Sequence, residues 1–167
     1  MGDIARLCQL HIVPLAISYE FDPCDFLKAQ EFQLKRDVSG WKKSANDDVV
    51  SMQTGIMGYK GRIHYHCAPC IDDYLRHLPA DMPKTELFTQ VAAHIDNEIH
   101  KNYRLYPNNY IAMDLLKGTT DHSDCYGVEE KVRFEQYLAV QMAKIQLDNK
   151  DDDFLYERML TMYANPG

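Results

Sequence analysis

Four side chains able to bind a metal stand close together in His64-x-His66-Cys67-x-x-Cys70. Two imidazoles and two thiols are good zinc ligands, and Cys-x-x-Cys is a common half-site. The spacing works against convergence. Ile63, Tyr65 and Cys67 alternate with Arg62, His64 and His66, which is the period of a half-buried strand. The two histidines then share one face while Cys67 takes the other, unless the strand stops at His66. No second Cys-x-x-Cys follows. A strand edge with exposed histidines and a partly buried Cys67 is the favoured account, so no metal is expected. A zinc module on His64, His66, Cys67 and Cys70 is kept as the weaker alternative. A thioredoxin-like role needs the motif at a helix N-terminus after a strand, and Ile71-Asp72-Asp73 supports this only weakly.

Other candidates are plainer still. Asp121, His122, Asp124 and Cys125 share a polar stretch, where Cys and His could act as nucleophile and base. Nothing in the sequence supplies an orienting group, so solvated loop polarity is preferred. The acidic run from Asp148 to Asp153 lacks the glycine and final glutamate of a calcium loop and better suits a helix start. The three tyrosines of "NYRLYPNNYIAM" read as packing between helices rather than as a stacking platform. His11, His77, His94 and His100 each stand alone and read as structural or surface residues. Lys35 with Arg36, Lys42 with Lys43, and Lys60 with Arg62 form basic pairs that could meet an anionic headgroup or a carrier phosphate. A solvated surface is their default reading.

The elements that must position these groups follow from local pattern. Ile12, Val13, Leu15, Ala16 and Ile17 form an almost unbroken apolar run, the mark of a strand covered on both faces, here placed at about 8–19. Pro14 cannot donate to a ladder, and a bulge reconciles it with the run. A helix starts at Asp22-Pro23 and runs to about Arg36. A second helix begins near Asp47, turns Val49, Met52, Ile56 and Met57 toward a core, and stops at Gly58. A second strand covers about 61–68.

The remainder reads as a helical tail over 85–165. Thr85 caps a helix with Leu87, Val91, Ile95 and Ile99 in a stripe that Phe88 and Ala92 widen. Further helices run from Pro107 to Leu116, Val128 to Gln146 and Lys150 to Tyr163. The total is two strands and about six helices, an α/β class. Two strands make a poor sheet. The rest of the sheet is therefore expected elsewhere, on upstream sequence or on a second copy of the chain.

Composition narrows the classes. A chain of 167 residues without an internal linker or repeat fits one domain over 1–167. A net charge of -7 disfavours a broad nucleic-acid surface, which needs clustered cations. Five cysteines, an odd number in a chain this long, point to a reducing compartment rather than a disulfide framework. No apolar run approaches the ~20 residues that span a bilayer.

The stretch "LHIVPLAISYEFDPCDFLKAQEFQLKR" resembles the last block of the glycerolipid acyltransferase family, whose members acylate lysophosphatidate or glycerol 3-phosphate. The family strand appears here as Ile12-Val13-Pro14-Leu15-Ala16-Ile17, and a later one as Lys60-Gly61-Arg62-Ile63-His64-Tyr65-His66-Cys67-Ala68-Pro69-Cys70-Ile71. "YPNNYIAMDLL" and "FLYERMLTMYANP" look like the tail of one bacterial branch.

The resemblance implies an incomplete acyltransferase-type α/β domain, its C-terminal portion. The implied reaction is attack by a glycerol hydroxyl on an acyl thioester. Acyl-CoA or acyl-carrier protein would be the donor, and no other cofactor is implied. It also implies work at the cytoplasmic membrane surface, and it places Val13, Pro14 and Ala16 near the acyl or acceptor pocket. The family's His-x-x-x-x-Asp pair, base and orienter, is absent: none of the seven histidines has Asp five residues later. The Glu-Gly-Thr-Arg phosphate motif is absent as well. No catalytic residue is therefore carried over, and the chain alone is expected to be inactive.

Overall fold

The computed structural model describes residues 2–166. Eight α-helices and two strands are found among them: α1 Asp3–Cys8, β1 Leu15–Tyr19, α2 Asp25–Asp37, α3 Ala45–Met57, β2 Ile63–Cys67, α4 Asp72–Arg76, α5 Lys84–Asn102, α6 Pro107–Lys117, α7 Val128–Lys144 and α8 Asp152–Ala164. A short 3-10 turn covers Ser123–Cys125. The fold is thus mostly helical with one small antiparallel sheet of β1 and β2. Two compact units divide it, Met1–Ser18 with Ile63–Arg104, and Tyr19–Arg62 with Leu105–Gly167.

The first unit is built around Ile71, Leu75, Leu87 and Val91, with Ile4, Leu7, Ile12 and Ile95 packed against them. β1 is shorter than its apolar run implies. The residues before it form α1 and a turn, and His11 there has φ 48°. Burial along β1 alternates: Ala16 and Ser18 are covered, whereas Leu15 and Ile17 are exposed. The expectation of cover on both faces is therefore corrected. The unit covers one side of the sheet, and the outward apolar side chains keep their exposure. α5 shows a narrower version of the same effect. Leu87 and Val91 are buried, but Phe88 and Ala92 point outward, so they do not widen its stripe. Pro83, not Thr85, stands at its N-cap.

The second unit gathers α2, α6, α7 and α8 around Phe21, Ala29, Ile111, Phe134, Leu138, Leu155 and Met159. Local chemistry fixes the helix ends. Pro107 sits in the first turn of α6, and Gly118 ends it at φ 64°. Asp151 accepts from Phe154 N at 3.1 Å and so caps α8. α3 opens with a reciprocal Ser44–Asp47 capping box but buries none of its residues. Val49, Met52, Ile56 and Met57 are 61–79% exposed. Their expected turn toward a core is thus also corrected, because α3 buries none of its side chains among the described residues.

The most deeply buried carboxyl of this unit is that of Asp25. Asp25 is fully buried. Its Oδ1 accepts from Gln141 Nε2 at 2.6 Å, and its Oδ2 accepts from Tyr163 OH at 2.8 Å. Burial pushes its carboxyl up to about 6, against the pull of the Tyr163 hydroxyl and the Phe26 amide. The same burial, with Asp25 beside it, drives the Tyr163 hydroxyl well above its ordinary value.

Candidate functional site

The exposed face of the sheet is the first feature to emerge. Ala68 N donates to Pro14 O at 2.9 Å, which fixes the register. Leu15 then stands opposite Cys67, and Ile17 opposite Tyr65. These four side chains, with Ile63, lie on the outward side and are exposed. The inward side carries Ala16 opposite His66 and Ser18 opposite His64. Ser18 Oγ accepts from Arg104 N at 2.8 Å. Val13, Pro14 and Ala16 therefore do not share one surface: Pro14 and Ala16 are buried, while Val13 is 48% exposed.

The same alternation separates His64, His66, Cys67 and Cys70. Both histidines are half-buried on the inward side, Cys67 is exposed on the outward side, and Cys70 lies past the strand. The four do not form a metal set.

Cys70 has different neighbours. A ring nitrogen of His11, Cys70 Sγ and an Asp72 oxygen all lie within 4.8 Å of one another. His11 Nδ1 is 2.7 Å from Asp72 Oδ2. The backbone explains the meeting, since Ile71 N donates to Ile12 O at 3.0 Å and so ties the turn before β1 to the start of α4. Burial would raise the Asp72 carboxyl. Hydrogen bonds from His11 and Cys70, with the positive charge of Arg76, hold it below its ordinary value instead. Asp72 Oδ1 is buried and accepts no hydrogen bond. A cavity of about 440 Å³ lies alongside, lined in part by His66, Cys70, Tyr74, His94 and Glu98, with the Tyr74 and His94 rings stacked at 3.8 Å. In the sequence His11 stands alone. The 61 residues between it and Asp72 carry no spacing signal that could have paired them.

Two further charge clusters belong to the second unit. Glu20 is 3% exposed and takes four hydrogen bonds. Its Oε2 accepts from Arg62 N at 2.9 Å and Arg62 Nε at 3.1 Å. Its Oε1 accepts from Arg62 Nη2 at 3.1 Å and Arg133 Nη2 at 2.6 Å. Burial would raise this carboxyl, but the Arg62 hydrogen bonds and both guanidinium charges hold it below its ordinary value. Arg62 is thus committed to a buried carboxylate rather than left as half of a free basic pair.

His122 also finds the orienting group that its surroundings in sequence do not reveal. Its Nδ1 lies 2.8 Å from Asp114 Oδ1 on α6, and its backbone N donates to the same carboxylate at 3.2 Å. Tyr126 OH donates to Asp114 Oδ2 at 2.8 Å. An oriented imidazole could serve as a base. The backbone and tyrosine bonds equally fasten the loop that follows α6. Asp121, Asp124 and Cys125 are exposed around it, and Cys125 N donates to His122 O at 2.8 Å.

Compared with protein-family models, curated proteins and solved structures, the chain matches none. Among the described residues, no helix is long and apolar enough to cross a membrane.

Proposed function

We propose that this chain is the C-terminal part of a glycerolipid acyltransferase, which transfers an acyl group from acyl-CoA or acyl-carrier protein to a glycerol phosphate hydroxyl. The observation that carries the reading is the open sheet face of Val13, Leu15, Ile17, Ile63 and Tyr65. Apolar surface presented in cross-strand pairs is costly to leave in water, roughly 25 cal/mol for each Å². A two-stranded sheet is also marginal by itself. Both facts favour an additional segment seated on this face, and the upstream acyltransferase segment with its His-x-x-x-x-Asp pair is the occupant the resemblance calls for. In the complete enzyme that histidine takes the proton of the attacking hydroxyl, the thioester carbonyl carbon gains the new C–O bond, and the thiolate leaves. This chain supplies the strand against which the site is assembled.

α3 supports the membrane-surface part of the reading. Its exposed Val49, Met52, Ile56 and Met57 form an apolar stretch, with Lys42 and Lys43 before it and Lys60 after it.

The test is acyl transfer to lysophosphatidate and glycerol 3-phosphate, from both donors. The chain alone should stay at background. Co-expression with the upstream segment should give a co-purifying pair that turns over, and Ile17→Glu or Tyr65→Glu should prevent the pairing. Turnover by the chain alone, or a pair that neither associates nor acts, would overturn the proposal. A dimer of the chain that loses association on the same substitutions would assign the face to a second copy instead.

A further inference from the structure

We propose that His11, Cys70 and Asp72 form a zinc site, with water as the fourth ligand. The donor set suits a borderline-soft divalent ion: one imidazole, one thiolate and one carboxylate. Thiolate and carboxylate together balance the charge of the ion, so the half-buried position carries no net charge when it is filled. Tetrahedral zinc spaces its ligand atoms roughly 3.5 Å apart, and these atoms already lie within 4.8 Å of one another. Side-chain rotation closes the difference. On binding, His11 keeps its ring proton on Nε2 and gives up the one on Nδ1, so that Nδ1 exchanges its contact with Asp72 Oδ2 for the metal, and the Cys70 thiol proton passes to solvent.

A second, independent observation points to a missing ligand. Asp72 has a side chain only 10% exposed, yet its Oδ1 is buried without any donor. Buried carboxylate oxygens are normally satisfied, because the lost hydration is not otherwise replaced. A cation that the carboxylate takes up through Oδ1 would satisfy it. The Arg76 guanidinium, 3.8 Å from Asp72 Oδ2, is the opposing charge. It is held at 2.6 Å by Asp73 Oδ1 and is 60% exposed, so it can move toward Asp73 and solvent. The set differs from the one suggested by sequence. It keeps Cys70, but replaces His64, His66 and Cys67 with a histidine and an aspartate brought in by the fold.

The experiment uses the whole chain, stripped with chelator and titrated with zinc and with cobalt(II). One zinc per chain is expected. Cobalt should show the visible bands of a tetrahedral site and one thiolate charge-transfer band in the near ultraviolet. His11→Ala, Cys70→Ser and Asp72→Asn should each weaken zinc binding by about 10- to 100-fold or more. Cys67→Ser and His64→Ala should leave it unchanged. His11 is an exposed side chain outside any regular element, so its alanine variant should keep the native circular dichroism and separates loss of metal from loss of fold. A wild-type protein that binds no zinc overturns the proposal. So does a charge-transfer band that survives Cys70→Ser or disappears in Cys67→Ser.

Discussion

Replacing Asp25 with asparagine should change how stability depends on pH, by an amount that follows from its burial. The Asp25 carboxyl titrates at about 6 in the folded chain against an ordinary value of 3.8. A folded value above the unfolded one means that the native state holds the proton more tightly. Stability contributed by this group is complete below about pH 4 and is lost as pH rises through about 6. The gap of about two units corresponds to about 3 kcal/mol. Asparagine carries no charge at either end of this range. The stability of the wild type minus that of Asp25→Asn should therefore fall by about 3 kcal/mol between about pH 4 and pH 7. Urea unfolding at a series of pH values measures it. Subtracting the variant cancels the opposite trend of Glu20 and Asp114, whose folded carboxyls sit below their ordinary values and lose stability as pH falls. A difference that stays flat with pH, or grows in favour of the wild type at high pH, would refute the reasoning.

Three other outcomes follow from Gly61 and from the exposed side of α3. Gly61→Ala should destabilise the second unit by about 1–3 kcal/mol, read by urea unfolding. Gly61 has φ 63°, and an added Cβ would lie 2.6 Å from Glu20 Oε2 and 2.8 Å from Phe21 Cδ2. Met52→Ser with Ile56→Ser should change stability by less than about 1 kcal/mol, because both side chains are already exposed. The same pair should reduce co-sedimentation with anionic phospholipid vesicles, and unchanged binding would remove α3 from the membrane reading.

Helix positions were legible because their signals are local. Pro107 and Gly118 bracket α6 at positions their backbone chemistry dictates, and the apolar Phe134 and Leu138, four residues apart, mark the inner face of α7, to which the structure adds Gln141. Side-chain direction in strands was legible too, since period two alone puts His64 and His66 opposite Cys67. What failed was the step from apolar to buried. Phe88 on α5 and Met52 on α3 have the composition of core residues, and whether they are covered depends on neighbours that no local pattern specifies. The His11–Asp72 contact is of the same kind. It depends on a turn with positive φ and on one backbone bond between Ile71 and Ile12. The His122–Asp114 pair spans only eight residues, but it needs the chain to reverse after Gly118.

The run around Val13 connects these failures to function. Consecutive apolar residues imply a strand buried on both faces, and the described residues cover only one. The observed exposure and the expected burial agree if the cover is supplied from outside the chain. The uncovered residues are ordered in register across two strands: Leu15 with Cys67, and Ile17 with Tyr65. Scattered surface apolar residues need no explanation, whereas the proposed docking would use this paired array on one sheet face. A polar substitution there should therefore be mild in the isolated chain and severe for association, and that contrast separates a docking face from a merely greasy surface.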